Sequence, residues 1–413
     1  MRVQGVVDNN VWPPRMGHTV RVWHLYRELA QRAGVSSVRV IATLKSRERA
    51  VSRETRGKVE IARIRPGHPT LFAWLERLGI APLSAAAEGY RRFPGPFARA
   101  WDAAADVFEV DSLPLSPLLF HAPRGALKVY GSQNVEIEWV ERVGGTVARR
   151  PRWARWLERL EREALATADL VIAVSAADRD TFVARYGASP AKIAVVENGF
   201  DAAGLRPPTA EEKRGARAAL GLAAGERGLL FVGTDFEHNR RAVSDLFRAV
   251  VPALARLEAR LWIVGDVSTS FRARAEREGD GRVHAVPEQS DLVPWLWACD
   301  VGLNPITTGA GSNVKLPTYL ATGLAVVTTP FGARGFERLA PHIRQAALDD
   351  FASAIEATAT ATATATDSTG RDDAVRATAL ASYAWSAQAA RLHEAYVTAL
   401  AARPGRARAA GGT

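Results

Sequence analysis

Between Gly302 and Phe336 the chain reads GLNPITTGAGSNVKLPTYLATGLAVVTTPFGARGF. Within it, Gly309-Ala310-Gly311-Ser312-Asn313 joins the end of an apolar run to the start of a helical one. Gly309 and Gly311 let the backbone come close to a ligand, and Ser312 or Asn313 can cap the helix that follows. The first N–H groups of a helix are unpaired and carry partial positive charge, which suits a phosphate. Lys315, two residues into that helix, adds a full charge at the same spot. Only six of the 54 basic residues are lysine and 48 are arginine, so a lysine here is an uncommon choice. Phosphate binding is one reading of the segment. A strand–helix turn that merely needs glycine is the other.

Such a loop needs a parallel sheet behind it, and the rest of the chain has the pattern of one. Val3–Val7 reads as a short buried strand, and Val20–Arg32 repeats Val22, Leu25, Tyr26 and Leu29 at helical spacing. Val38–Ala42 is the next strand, so the first 45 residues or so form a parallel α/β unit. Further strands are expected at 105–110, 127–130 and 168–174, with a helical stretch over 153–166 before the last. A second series starts near residue 190, with strands at 193–196, 229–233, 259–265, 283–286, 301–304 and 325–328 and a helix over 241–257. The simplest architecture is α/β, two Rossmann-like lobes over 1–175 and 190–375. Residues 379–400 read as a final helix and 403–413 as a disordered tail. The Ala/Thr alternation over 358–366 has nothing bulky to bury and carries no functional expectation. The stretch 65–96 reads as loops without a legible code.

Composition sets the outer limits. With 413 residues, 47% of them hydrophobic, the chain has the make-up of a two-domain globular protein rather than of a disordered or fibrous one. A lone cysteine, Cys299, excludes a disulfide framework and a multi-thiolate metal site. No run approaches ~18 apolar residues and the start lacks the pattern of a signal peptide, so a cytoplasmic protein is expected. The formal charge of +10 favours anionic partners. Arginines spread over surfaces and tail account for much of it, and nothing else in the sequence calls for nucleic acid. The helix RRPRWARWLERLER (149–162) places Trp153, Trp156, Leu157 and Leu160 on one stripe. That stripe reads first as core-facing, with peripheral contact at the inner face of a membrane as the other reading.

Several segments, in order, resemble family-4-like glycosyltransferases of GT-B fold. Gly309–Gly323 with Ala325–Pro330 and Gly332–Gly335 is similar to the donor-binding segment of that family. Ala168–Ser175 looks like the strand that closes its N-terminal lobe, and Val195–Asp201 (VVENGFD) its signature after the linker. Phe231-Val232-Gly233-Thr234 with Asn239 resembles the first strand and loop of the C-terminal lobe. Trp12–Gly17 looks like the first N-terminal loop, and Gln133-Asn134-Val135-Glu136 like the "HNVE" segment. The resemblance spans residues 1 to about 400. It implies two lobes with parallel sheets facing across a cleft, a nucleotide-diphosphate sugar in the C-terminal lobe and an acceptor in the N-terminal one. The last helix (379–402) would return to the N-terminal lobe. Transfer would retain anomeric configuration and use neither metal nor cofactor, because basic side chains and helix N–H groups neutralise the departing diphosphate.

Carried onto this chain, the resemblance gives the diphosphate to Gly309, Gly311, Ser312, Asn313 and Lys315, within a loop set by Gly233 and Asn239. Arg240, or its neighbour Arg241, is a second cation for it. Gly17 would let the N-terminal lobe approach the sugar, and His18 and Gln133 stand on the acceptor side. Departures are as telling. The family's paired glutamates fall on Ala310 and Thr318, and Thr318 cannot accept two charged hydrogen bonds from a ribose. The N-terminal histidine that approaches the sugar is replaced by Asp111, and the "HNVE" histidine by Gln133. The expected function is transfer of a sugar from a nucleotide-diphosphate donor to a polysaccharide, lipid-linked or small-molecule acceptor in cell-envelope or polysaccharide biosynthesis. The missing glutamates and histidine also fit a second reading, a GT-B-shaped protein without turnover that serves as a binding or scaffold partner.

Overall fold

A computed structural model describes residues 1–14, 17–44, 52–66, 68–143, 150–308, 314–364 and 368–403. The chain divides into two compact units, one of residues 1–198 with 385–413 and one of residues 199–384.

The first unit holds an eight-stranded sheet. Its strands are β1 (Arg2–Val7), β2 (Ser37–Thr43), β3 (Arg53–Arg56), β4 (Val59–Ile64), β5 (Val107–Asp111), β6 (Leu127–Gly131), β7 (Leu170–Ala173) and β8 (Ile193–Val195). They run in the order β3-β4-β2-β1-β5-β6-β7-β8, all parallel except the β3–β4 hairpin. Central strands are apolar almost throughout because both faces are covered. On one face lie α1 (Gly17–Leu29) and the last helix, with Val22, Leu25, Leu29, Leu392 and Leu400 packed over Val3, Val107 and Val129. Helix α2 (His68–Arg77) and helix α3 (Pro151–Thr167) belong to this unit too.

The second unit carries β9 (Arg227–Val232), β10 (Ala259–Val264), β11 (Val283–Val286), β12 (Val301–Asn304), β13 (Ala325–Thr328) and β14 (Arg344–Gln345). Their order is β11-β10-β9-β12-β13-β14, parallel at every pairing. Helix α4 (Glu237–Ala249) follows β9 and helix α5 (Lys315–Ala321) follows β12. The α/β fold with two parallel-sheet domains therefore stands as read from the sequence.

Four details, at residue 193, over 65–96, in the final helix and at Arg403, differ from that reading. The strand at 193 does not open the second sheet; it pairs in parallel with β7, Val171 opposite Ile193, and forms an edge of the first. Periodicity shows that a strand exists but not which sheet it joins. Residues 65–96 are not merely loops, since α2 and a second helix, Ala87–Arg92, lie within them. The final helix is two: Ser368–Tyr383 stops at Ala384, which bridges to Phe200, and helix α6 (Trp385–Ala401) begins afresh. The Ala/Thr alternation is helical as far as Thr364. Arg403, at the head of the expected tail, donates to the Gly125 carbonyl at 2.8 Å, and the rest of that tail lies outside the described residues. Among the described residues no helix is long and apolar enough to cross a membrane.

Candidate active site

In the second unit, Gly233 follows β9, and the chain turns through 234–236 into α4. Asn239, buried on that helix, donates from Nδ2 to the Thr234 carbonyl at 2.9 Å and so fixes the turn. A methyl group at Gly233 would stand 3.0 Å from the Phe231 ring and 3.1 Å from Cγ of Asn239, so glycine lets the three residues close up. Helix α5 is held on the sheet by Tyr319, whose hydroxyl accepts the Val232 N–H at 3.0 Å. Its ring lies where a side chain at Gly302 would be, within 2.3 Å of a Cβ there, so β12 must carry glycine at that point.

This framework delivers Lys315 to the end of β9. Its ammonium donates to Oδ1 of Asn239 at 3.2 Å and sits 4.4 Å from the centre of the Phe231 ring. Among the described residues no carboxylate faces it. Burial alone pushes its pKa down to about 7 from the ordinary 10.5. An amide oxygen and an aromatic face attract a cation without neutralising it. His238, stacked on Phe236, is lowered by burial and by the charge of Lys315.

The other residues expected at this site are placed differently. Arg240 spends its guanidinium on a two-point pair with Asp235, both contacts 2.7 Å. Asp235, five residues earlier in the turn before α4, was the sequence signal for that pairing. The Thr318 hydroxyl donates back along its own helix to the Val314 carbonyl at 3.0 Å. Gly309, Gly311, Ser312 and Asn313 lie outside the described residues, as does Ala310.

In the first unit, Asp111 ends β5 and accepts a hydrogen bond from Nε2 of Gln133, two residues past the end of neighbouring β6. Sequence reasoning missed its company. Glu109, two residues earlier on the same face of β5, takes the hydroxyls of Tyr26, at 3.1 Å, and Tyr396. Gly131 leaves room for both carboxyls, since a Cβ there would lie 2.8 Å from Glu109 and 2.9 Å from Asp111. Burial raises the pKa of both carboxyls, and the charge of Asp111 raises Glu109 further. Arg21, buried on α1, reaches the Glu197 and Val196 carbonyls at 2.9 and 2.6 Å and Oδ1 of Asn198 at 3.0 Å. Two acidic residues on one face of an otherwise apolar strand were the available signal.

Gly17 opens α1 with nothing within 4 Å of a would-be Cβ, so its small size is not required by packing. His18 places Nε2 2.9 Å from the Asp8 carbonyl at the end of β1. On α3, Leu157 and Leu160 are buried, and Trp153 and Trp156 pack against the core; its apolar stripe faces inward. The structure thus brings together Gly233, Asn239 and Lys315 in one unit and Asp111 with Gln133 in the other. Arg240 and Thr318 remain engaged elsewhere.

Two family models match. Residues 16–203 match the one described as Glycosyltransferase Family 4, and residues 226–361 the one described as Glycosyl transferases group 1. The chain belongs to the family-4-like glycosyltransferases of GT-B fold. Among solved structures it is similar to sucrose-phosphate synthase from Thermosynechococcus elongatus, at 17% identity and a TM-score of 0.69, over 97% of this chain and 100% of that one. It is similar to a trehalose 6-phosphate synthase from Burkholderia multivorans, at 14% identity and 0.68, over 100% of each chain. The Anabaena protein HepE in complex with UDP follows at 15% identity and 0.62, over 96% of this chain and 100% of that one. No curated protein matches the chain in sequence.

Proposed function

We propose that this glycosyltransferase moves a sugar from a nucleoside diphosphate donor, UDP-linked in the first instance, to a polysaccharide, lipid-linked or small-molecule acceptor. Configuration at the anomeric carbon is retained and no metal ion takes part. The observation that carries this reading is Lys315, a part-buried ammonium at the carboxyl end of a parallel sheet, held by Asn239 and Phe231 and facing no carboxylate among the described residues. A diphosphate supplies the missing negative charge, and the lysine stabilises that charge as the sugar departs. Arg240 joins it by giving up Asp235. Asp111 supplies a polar contact to the sugar, its carboxylate oriented by Gln133. The UDP complex of a similar structure is the reason to begin with uridine.

Calorimetry with UDP, GDP, TDP and ADP on the wild type and on Lys315→Ala tests this. One nucleotide is expected to bind, and the variant to bind it at least about tenfold more weakly, the loss of one charge-assisted contact. Equal binding by the variant, or none by the wild type, overturns the assignment. NMR of the product anomer and activity in chelator test retention and metal independence. The Thr318 hydroxyl, committed to Val314 where the family has a glutamate, favours one second reading, a binding partner without turnover. Hydrolysis of a sugar nucleotide, abolished in Lys315→Ala, would exclude it.

A further inference from the structure

Helix α2 is amphipathic the wrong way round for a soluble protein. Leu71, Trp74, Leu75 and Leu78 recur at helical spacing, and such a stripe ordinarily faces the core. Here Leu71 is 53% exposed, Trp74 58% and Leu78 53%, while Phe72, off the stripe, packs inward. The turn after the helix adds Ile80 at 48%, and Phe93 at 66% closes the same segment. One exposed leucine is ordinary; a run of leucines, a tryptophan and an isoleucine on one short segment marks a surface that binds something.

Basic side chains outnumber acidic ones around it. Arg77 ends α2 and Arg92 precedes Phe93. Arg150, at the head of α3, brings Nη2 within 3.9 Å of where a Cβ on Gly79 would lie, between Leu78 and Ile80. Arg152 follows it, stacked on Trp153. Among the described residues none of these four arginines meets a carboxylate. The two acids of the segment are already engaged: Glu76 accepts the Leu83 N–H at 3.0 Å, and Glu88 lies 3.6 Å from Arg91. Unpaired arginines beside exposed tryptophan and leucine match the two layers of an anionic bilayer surface, phosphate outside and hydrocarbon beneath.

We propose that the α2 face, Leu71, Trp74, Leu78 and Ile80 with Arg77, Arg150 and Arg152, docks on an anionic lipid surface. It lies in the interface and does not span it. The docking helix is α2, and α3, whose apolar stripe is spent on the core, contributes only charge.

The test is co-sedimentation of the full chain with vesicles of phosphatidylcholine alone and of phosphatidylcholine mixed equally with phosphatidylglycerol. Binding to the mixed vesicles is expected to be about tenfold or more tighter, and to weaken as salt rises. Trp74→Ser with Leu78→Ser should lower it about tenfold or more, and Arg150→Ser with Arg152→Ser should abolish the preference for anionic lipid. Calorimetry with UDP on the same samples reports the donor site separately, so failure here leaves that site's assignment standing. Absence of binding, equal binding to both vesicles, or unchanged binding by both double variants overturns the proposal. So does self-association in ultracentrifugation that the Trp74/Leu78 variant abolishes, because the face would then join copies of the chain.

Discussion

Each unit buries charge at the carboxyl ends of its strands, and the two do so in opposite ways. In the first, Glu109 and Asp111 are held by phenols and an amide, and Arg21, bonded to backbone carbonyls, favours the charge of both carboxyls from nearby. In the second, Lys315 stands with one amide oxygen and one ring. Charges that offset one another within a unit chiefly fix its structure. A cation that meets no carboxylate among the described residues is poised for a ligand that brings one.

The contrast can be broken from its structural side first. Arg21→Ala strips the Val196 and Glu197 carbonyls and the Asn198 side chain of their donor and removes the positive charge from two buried carboxyls. A loss of about 3–5 kcal/mol in unfolding free energy is expected, measured by denaturant titration. If the arginine were a ligand site rather than a strut, stability would hold and binding would fail.

Next in size is the pH dependence of donor binding. Lys315 is pushed down to about 7 in the free protein, and a bound diphosphate raises it again. The protonated form binds, so affinity is flat below that value. Above it, affinity falls by about tenfold per pH unit until the pKa of the bound lysine is reached. UDP-glucose, whose diphosphate does not titrate in that range, is the probe for calorimetry between pH 6 and 9.

The carboxyls act on stability instead, and there too the loss comes as pH rises. Glu109 has its folded pKa raised, so the native state holds a proton that the unfolded chain releases in the ordinary carboxylate range. Stability is then full below that range and is lost as pH rises through the folded value. Glu109→Gln keeps an acceptor for the two tyrosines without the charge. It should raise the melting temperature at pH 8 by the equivalent of about 1–2 kcal/mol and have little effect at pH 4. The smallest effect concerns Thr318. Thr318→Glu restores an acceptor for ribose hydroxyls and is expected to tighten UDP binding several-fold, about 1 kcal/mol. An unchanged constant would show that the ribose lies elsewhere.

What the sequence made legible follows from what repeats locally. The central strands announce themselves because burial on both faces demands runs such as Leu229–Val232 or Leu170–Ala173. Edge strands β3 (RETR) and β14 (RQ) carry no such demand; their pairing is made by backbone alone. Helix α2 was hidden for a different reason: it is short, and Pro and Gly punctuate both sides of it. In the site, Gly233, Asn239 and Lys315 were legible as motif, although the bond from Lys315 to Asn239 spans 76 residues. The partnership of Glu109 with Tyr396, 287 residues apart, had no local trace at all. Arg240 shows the converse: its place near the expected site was legible, but its pairing with Asp235 was not read.

Helix α6 adds a matter of timing. It belongs to the first unit, where Trp385, Leu392 and Tyr396 cover the sheet and Tyr396 bonds Glu109, yet it follows the whole second unit along the chain. On the ribosome the second unit emerges as one uninterrupted stretch and can collapse at once. The first must wait, with Val129 and Leu170 uncovered and Glu109 short of a partner, until translation has passed residue 400. The half of the molecule made first is therefore the half completed last, and its nascent form is the one that chaperones would have to shield.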